Sequence, residues 1–315
     1  MTLERLRYLV ALAEERSFTR AAERVFLTQP ALSIQIRQLE EELKVRLFDR
    51  TKRPLELTEV GRRVVAQARR VLEEVEKLRA LVGGEEGLFE GVFRVGVIPT
   101  LAPYLLPRLL PRLTRRWPAL ELSVREELTP GILQGLLEGR LDAGLIGTPE
   151  GLPGLELTSL FEEGFVAYVA PSHPLYARSA LHPVEIPLED TWVLSEGHCF
   201  REQILSVCRP GPLRRRVEFQ SGDLETLVHL VEEVGGLTLL PEVALWTLPE
   251  DRRTRLRPLT SPGAGRTVYL VQREGALKRP VALALGVEAR EVFHSLSQRV
   301  VYSSSPPPGQ TTCPA

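Results

Sequence analysis

The stretch Ser17-Phe-Thr-Arg-Ala-Ala-Glu-Arg-Val-Phe-Leu-Thr28-Gln-Pro-Ala-Leu-Ser33-Ile-Gln-Ile36 decides the fold of the first sixty residues. Ser17 can cap a helix running through Val25, and Thr28 can cap the next. Pro30 falls in the first turn of that next helix, where the early N–H groups have no intrahelical partner. The small pair Ala21 and Ala22 lets a neighbouring helix approach closely. Upstream, Leu3, Leu6, Leu9, Val10 and Ala13 recur at helical spacing. Three short helices joined by tight turns are therefore expected. On the third, Leu32, Ile36, Leu39 and Leu43 form a buried stripe, so Gln29, Ser33 and Arg37, each four apart, share the opposite face. Short polar donors and a guanidinium on an exposed helix suit major-groove base edges and phosphates. Periodicity alone leaves a plain solvated face equally open. The segment Leu47 to Thr58 then reads as a two-stranded ribbon whose tip carries Arg50, Lys52 and Arg53, the wing of a winged helix-turn-helix.

The whole chain has 315 residues, 43% hydrophobic and 26% charged, which fits a globular protein of two or three domains and excludes a fibrous or disordered class. Its formal net charge of −1 exerts no global pull on nucleic acid, so DNA binding must come from local clusters such as Arg46, Arg50, Lys52, Arg53, Arg62 and Arg63. No run of eighteen apolar residues is present, and the amphipathic start Met1 to Arg7 lacks the apolar core of a signal peptide. A cytoplasmic location without membrane contact is expected. Asn is absent and Pro, Arg and Glu are abundant, the composition expected of a heat-adapted or high-GC source.

Taken jointly, Phe18 to Arg24, Thr28 to Ser33, Ile36 to Glu40, Leu47 to Arg50 and Leu57-Thr58 resemble the signature of the LysR-type transcriptional regulators, across nearly the whole head. The resemblance implies double-stranded operator DNA as partner, with Thr28, Gln29, Pro30, Ser33, Arg37, Arg50, Lys52 and Arg53 at the interface. It also implies a homodimer or a homotetramer and contact with RNA polymerase.

Thr58 can cap a long helix to about Val82. In it Val64, Ala68, Val71, Val75, Leu78 and Val82 alternate spacings of four and three, the seam of a short coiled coil, while the other faces are charged. Dimerisation through this seam is expected, followed by a glycine hinge at residues 83 to 87. From Gly91 onward strands and helices alternate, which predicts mostly parallel sheets with helices on both faces. The domains expected are a head at 1–58, a linker helix and hinge at 59–90, one lobe at 91–163 with 267–301, a second lobe at 164–266, and a Pro/Ser-rich disordered tail at 302–315. This α/β, two-lobed plan resembles the LysR effector domain, itself similar to periplasmic binding proteins.

In open α/β lobes ligands bind beyond the carboxyl ends of strands, where helix N-termini point free N–H groups. Thr100, Thr129, His198-Cys199 and Ser221-Gly222-Asp223 all fall at such junctions, although each threonine is also an ordinary helix-cap candidate. Cys199 and Cys208 stand nine positions apart in a chain whose third cysteine is Cys313. Cys199 opens a helical pattern between His198 and Arg201, where helix-end partial charge and a guanidinium favour a thiolate. On one continuous helix the two Cα atoms would lie roughly 13 Å apart, whereas a disulfide needs about 4.4 to 6.8 Å, so the segment must refold to oxidise.

Within the LysR family, Gly197 to Gln203, Cys208, and Leu224 to Leu227 through Gly236 to Pro241 resemble the peroxide-sensing members. That resemblance implies hydrogen peroxide as the signal, Cys199 as the thiol attacked, Cys208 as its disulfide partner, and Thr100, Thr129, His198, Arg201 and Arg266 around the peroxide. A thiol reductant would reverse the switch. Arg209-Pro210-Gly211 departs from the pattern. Three other uses stay open: a metabolite coinducer in the cleft with idle cysteines, a permanent structural disulfide, and a thiol peroxidase, against which the winged head argues. Metal-ligand spacing is lacking around the cysteines, and no cofactor is expected.

Overall fold

The computed structural model describes residues 1–83, 88–148, 152–208, 222–260 and 264–297, with only the backbone of 79–83. The departure at 209–211, Ser221, most of the hinge and the tail with Cys313 lie outside these residues.

The head folds as local signals dictate. Thr2, Ser17 and Thr28 each accept a backbone N–H three residues on and so cap α1 (Leu3–Glu15), α2 (Phe18–Arg24) and α3 (Gln29–Leu43). Leu6, Leu9, Leu12, Ala21, Ala22, Leu32, Ile36 and Leu39 close one apolar core, with the alanines admitting the neighbouring helices. β1 (Phe48–Asp49) and β2 (Glu56–Leu57) pair antiparallel to make the wing. Glu40 on α3 holds the wing's base: one carboxylate oxygen accepts the Leu47 N–H at 2.8 Å, and the other accepts from Arg50 at 3.0 Å.

Thr58 accepts the Gly61 N–H at 2.9 Å and so starts α4 (Glu59–Gly83). A Cβ on Gly61 would lie 2.0 Å from the Leu47 carbonyl oxygen, so only glycine lets this helix approach the wing. The seam on α4 is divided, contrary to the expectation of one continuous dimer contact. Val65 and Ala68 are buried in the head's own core with Val64 and Val71 packed against it, because α1 lies along this half of the helix. Leu78 is 65% exposed. Arg69 and Arg70 donate to the carbonyls of Glu138 and Leu137, and Glu73 pairs with Arg273, so α4 also touches the following domain.

That domain is built on β3 (Gly91–Val97), α5 (Ala102–Arg116), β4 (Leu120–Glu126), α6 (Thr129–Leu137) and β5 (Ala143–Ile146), then β6 (Leu155–Val169), β7 (Thr191–Trp192), α7 (Cys199–Val207), α8 (Leu224–Glu233), β8 (Leu237–Pro241), β9 (Leu256–Pro258), β10 (Gly265–Arg273) and α9 (Arg279–Ser297). The sheet order is β4-β3-β5-β10-β6-β8-β7, with β9 paired to β6. It is mixed and not mostly parallel: β3–β4, β3–β5 and β7–β8 are parallel, but β10 runs antiparallel to β5 and β6, and β6 antiparallel to β8 and β9. Parallel neighbours need a crossover, usually helical. No helix is described between β5 and β6 or between β9 and β10, so strand–helix alternation says nothing about their direction. β6 pairs with β10 over its first part and with β8 over its last. The changeover, around Glu163 and Gly164, is where the candidate site forms.

Candidate functional site

The site is assembled from the ends of several strands and the start of α7. Cys199 is the first residue of that helix, His198 is its N-cap, and Cys208 is its C-cap. Both cysteines are free thiols, Cys199 half-buried and Cys208 buried. They stand at opposite ends of one helix, so the separation of roughly 13 Å follows from its rise, and no disulfide can close without unwinding it. Unwinding has a definite opponent. Phe200 and Ile204 are fully buried on the inner face of α7, and Phe200 packs edge-on against Phe165 at 5.0 Å between centroids. Uncovering each would cost about 1.5 to 3 kcal/mol unless it found a new apolar site.

The two thiols differ in setting. Cys199 lies at the N-terminal end of a helix, where the unpaired N–H groups carry positive partial charge. Burial pushes the Cys208 thiol up to about 12, which leaves it a protonated, inert group near neutrality. His198 is 7% exposed, and burial lowers its pKa, so the ring is neutral and offers one donor and one acceptor rather than a charge. Arg201 donates to the Leu194 carbonyl at 3.0 Å and reaches Glu202 at 4.0 Å. It staples the loop before α7 to the helix's first turns.

Neither threonine is a helix cap. The cap of α5 is Leu101 and that of α6 is Leu128, each without a side-chain cap bond. Thr100 is 2% exposed, and its hydroxyl accepts from Arg266 Nη1 at 2.7 Å. Thr129 is 3% exposed, and its Oγ1 has no hydrogen-bond partner. A buried hydroxyl left unpaired costs free energy unless a ligand or water completes it. Packing draws the junctions together. A Cβ on Gly197 would lie 3.1 Å from Leu128 Cδ1, and one on Gly222 3.4 Å from His198 Nε2, so the starts of α6, α7 and α8 converge.

Sequence reading missed four contributors. Gln203 on α7 donates to the Gly147 carbonyl at 2.6 Å, tying the helix to the end of β5. Gly147 itself leaves room for Arg266, whose Cδ and Nη1 would each lie 3.2 Å from a Cβ there. Phe200 carries the Arg266 guanidinium over its ring at 5.3 Å. Glu163 accepts from Arg266 Nε at 2.7 Å, with both side chains fully buried. Burial pushes the Glu163 carboxyl up, opposed by the guanidinium and by the Val243 N–H. The available signal was weak, since Glu163 is one of three glutamates in β6 and follows exposed Glu162, and its partner is 103 residues away.

The DNA-binding candidates of α3 and the wing are mostly exposed. Thr28, Gln29, Pro30 and Arg37 are exposed on α3, Ser33 is half-buried between them, and Lys52 and Arg53 are exposed at the wing tip. Arg50 differs: besides its bond to Glu40 it lies over the Phe18 ring at 5.5 Å, which makes it part of the wing's attachment.

Residues 3–62 match the family model of the bacterial regulatory helix-turn-helix protein of the lysR family, and residues 86–293 match that of the LysR substrate binding domain. The chain belongs to the LysR family. Among LysR relatives, it is 36% identical over 301 residues to the hydrogen peroxide-inducible genes activator of Haemophilus influenzae, covering 94% of this chain and 100% of that one. It is 36% identical over 298 residues to the DNA-binding transcriptional dual regulator OxyR of Escherichia coli, covering 93% and 97%. Full-length OxyR of Pseudomonas aeruginosa with a cysteine-to-aspartate substitution superposes with a TM-score of 0.81 at 34% identity, covering 93% of this chain and 98% of that one. An H2O2-bound cysteine-to-serine mutant of Corynebacterium glutamicum OxyR gives 0.60 at 29%, covering 95% and 96%.

Proposed function

We propose that this LysR-family protein is a DNA-binding transcription regulator that senses hydrogen peroxide by oxidising Cys199 and closing a disulfide to Cys208. The observation that carries the reading is the placement of the two thiols at opposite ends of α7, since a disulfide between them cannot close without a change of shape. The Cys199 thiolate attacks one peroxide oxygen. An S–O bond forms, the O–O bond breaks, and the departing hydroxide takes a proton to leave as water. Sulfur is oxidised by two electrons and becomes a sulfenic acid. Cys208 sulfur then attacks it: the S–S bond forms, the S–O bond breaks, and the hydroxyl leaves as water with the Cys208 proton.

Thr100 and Thr129 would bind the peroxide through their hydroxyls, with Arg266 beside them and neutral His198 next to the thiol. In this reading Arg201 acts through the loop it staples. The refolded segment is the bistable element that reorients subunits. Thr28, Gln29, Pro30, Ser33 and Arg37 at α3, with Lys52 and Arg53, would meet operator DNA, and a thiol reductant would restore the reduced state. RNA polymerase contact and a cytoplasmic site of action complete the proposal, and no described helix is long and apolar enough to cross a membrane.

The test is thiol titration with mass spectrometry before and after near-stoichiometric hydrogen peroxide. Loss of two hydrogens per chain with a Cys199–Cys208 crosslinked peptide is expected. Unchanged free thiols would return the site to a small-molecule coinducer.

Oligomerisation would use the outer half of α4. Leu78→Asp places a charge on the exposed end of the seam without entering the head's core, whereas Val71→Asp would also destabilise the head. Sedimentation should show Leu78→Asp shifted toward smaller species with the thiol chemistry intact. An unchanged sedimentation profile would remove α4 as the contact.

A further inference from the structure

We infer that Glu163 is a positioning residue for the peroxide step, setting the plane of Arg266 and through it the donor direction of Thr100; this rests on the peroxide reading above. Glu163 and Arg266 are register partners on β6 and β10, and both side chains are 0% exposed. Both carboxylate oxygens are held. One accepts from Arg266 Nε at 2.7 Å, and the other accepts the Val243 backbone N–H at 3.0 Å, so the carboxylate cannot swing. A guanidinium is a rigid planar fork, and fixing Nε fixes the directions of Nη1 and Nη2. Those two nitrogens donate to Thr100 Oγ1 at 2.7 Å and to the Thr100 carbonyl at 3.3 Å.

The consequence falls on the threonine. A hydroxyl has one proton to give and two lone pairs. With one lone pair filled by Arg266, the Thr100 hydroxyl retains its proton to donate to a bound ligand. The close packing of Gly147 and the Phe200 ring around the guanidinium leaves it little room for another orientation. Stability alone does not require this pair, because buried ion pairs can often be replaced by apolar residues without loss. What an apolar pair could not do is aim the hydroxyl.

The experiment uses the full-length chain and measures the second-order rate of Cys199 oxidation by hydrogen peroxide beside its alkylation by iodoacetamide at the same pH. Glu163→Gln keeps one acceptor for Arg266 but sets an amide N–H against the Val243 N–H. The peroxide rate is expected to fall by roughly tenfold to a hundredfold, the range that misplacing a positioning group produces. Alkylation should stay within about threefold, since it follows the thiolate and its access. In a double-mutant cycle, Glu163→Gln with Thr100→Val should be no slower than the slower single variant, because both act through one hydroxyl.

Equal losses in both reactions, or losses that multiply in the double variant, would overturn the assignment. Should Glu163→Gln fail to fold, Glu163→Asp keeps the charge but is one methylene short. Its peroxide rate should fall part-way, and a wild-type rate would count against the proposal. An unmutated chain whose Cys199 reacts with peroxide no faster than free cysteine removes the parent reading, and this inference with it.

Discussion

Cys199→Ser is expected to abolish the response to peroxide altogether, whereas Cys208→Ser should still consume one peroxide and then stall at the sulfenic acid or overoxidise. The asymmetry follows from the two ends of α7. Cys199 is half-buried at the helix N-terminus, while Cys208 is sealed at the C-terminal end with its thiol pushed up to about 12 by burial. Near neutrality burial holds this thiol protonated, so it cannot begin the reaction. The sign with pH is fixed by that shift. Because burial raises the Cys208 pKa, moving from pH 7 to 9 leaves it protonated, and any gain in rate over that window belongs to Cys199. Stopped-flow oxidation of both variants across this range, with mass spectrometry of the products, reads the outcome. Inertness of Cys208→Ser toward peroxide, or equal oxidation rates of the two thiols, would reverse the assigned order.

Removing Lys52 and Arg53 together should lower DNA affinity for all sequences alike and make the plot of log K against log salt less steep by about 1.8, about 0.9 for each phosphate that is no longer neutralised. Both side chains are exposed at the wing tip. Arg50→Ala is expected to behave otherwise, because its guanidinium already serves Glu40 and the Phe18 ring. It should loosen the wing and lower the head's melting temperature. Gln29 and Ser33 variants should relax sequence preference with little change in salt slope, since base-edge contacts specify where phosphate contacts only position. Fluorescence anisotropy at several salt concentrations separates these cases. A wild-type slope in the Lys52/Arg53 double variant would take the wing away from the phosphates.

The head was legible because its determinants are local. Ser17 and Thr28 cap helices within three residues of themselves, and the stripe Leu32, Ile36, Leu39 follows from the helical repeat. Placing Cys199 at a helix start was legible for the same reason. The seam on α4 was only half legible: its periodicity predicted an apolar face but could not say that α1 would cover part of it. Thr100 and Thr129 were found for their position beyond strand ends. Their state, one hydroxyl engaged by Arg266 and the other unpaired, depends on contacts no local pattern encodes.

By itself the sequence determined the head's helices, their caps, the wing and the helix start at Cys199, since those depend on periods and spacings of a few residues. Only the tertiary structure decided the antiparallel run of β6 and β10. Their register sets Glu163 opposite Arg266 and brings the guanidinium to Thr100, 166 residues away along the chain. Strand direction and register are fixed by which faces must be buried against the shared core, and that is a property of the assembled sheet that no single strand carries.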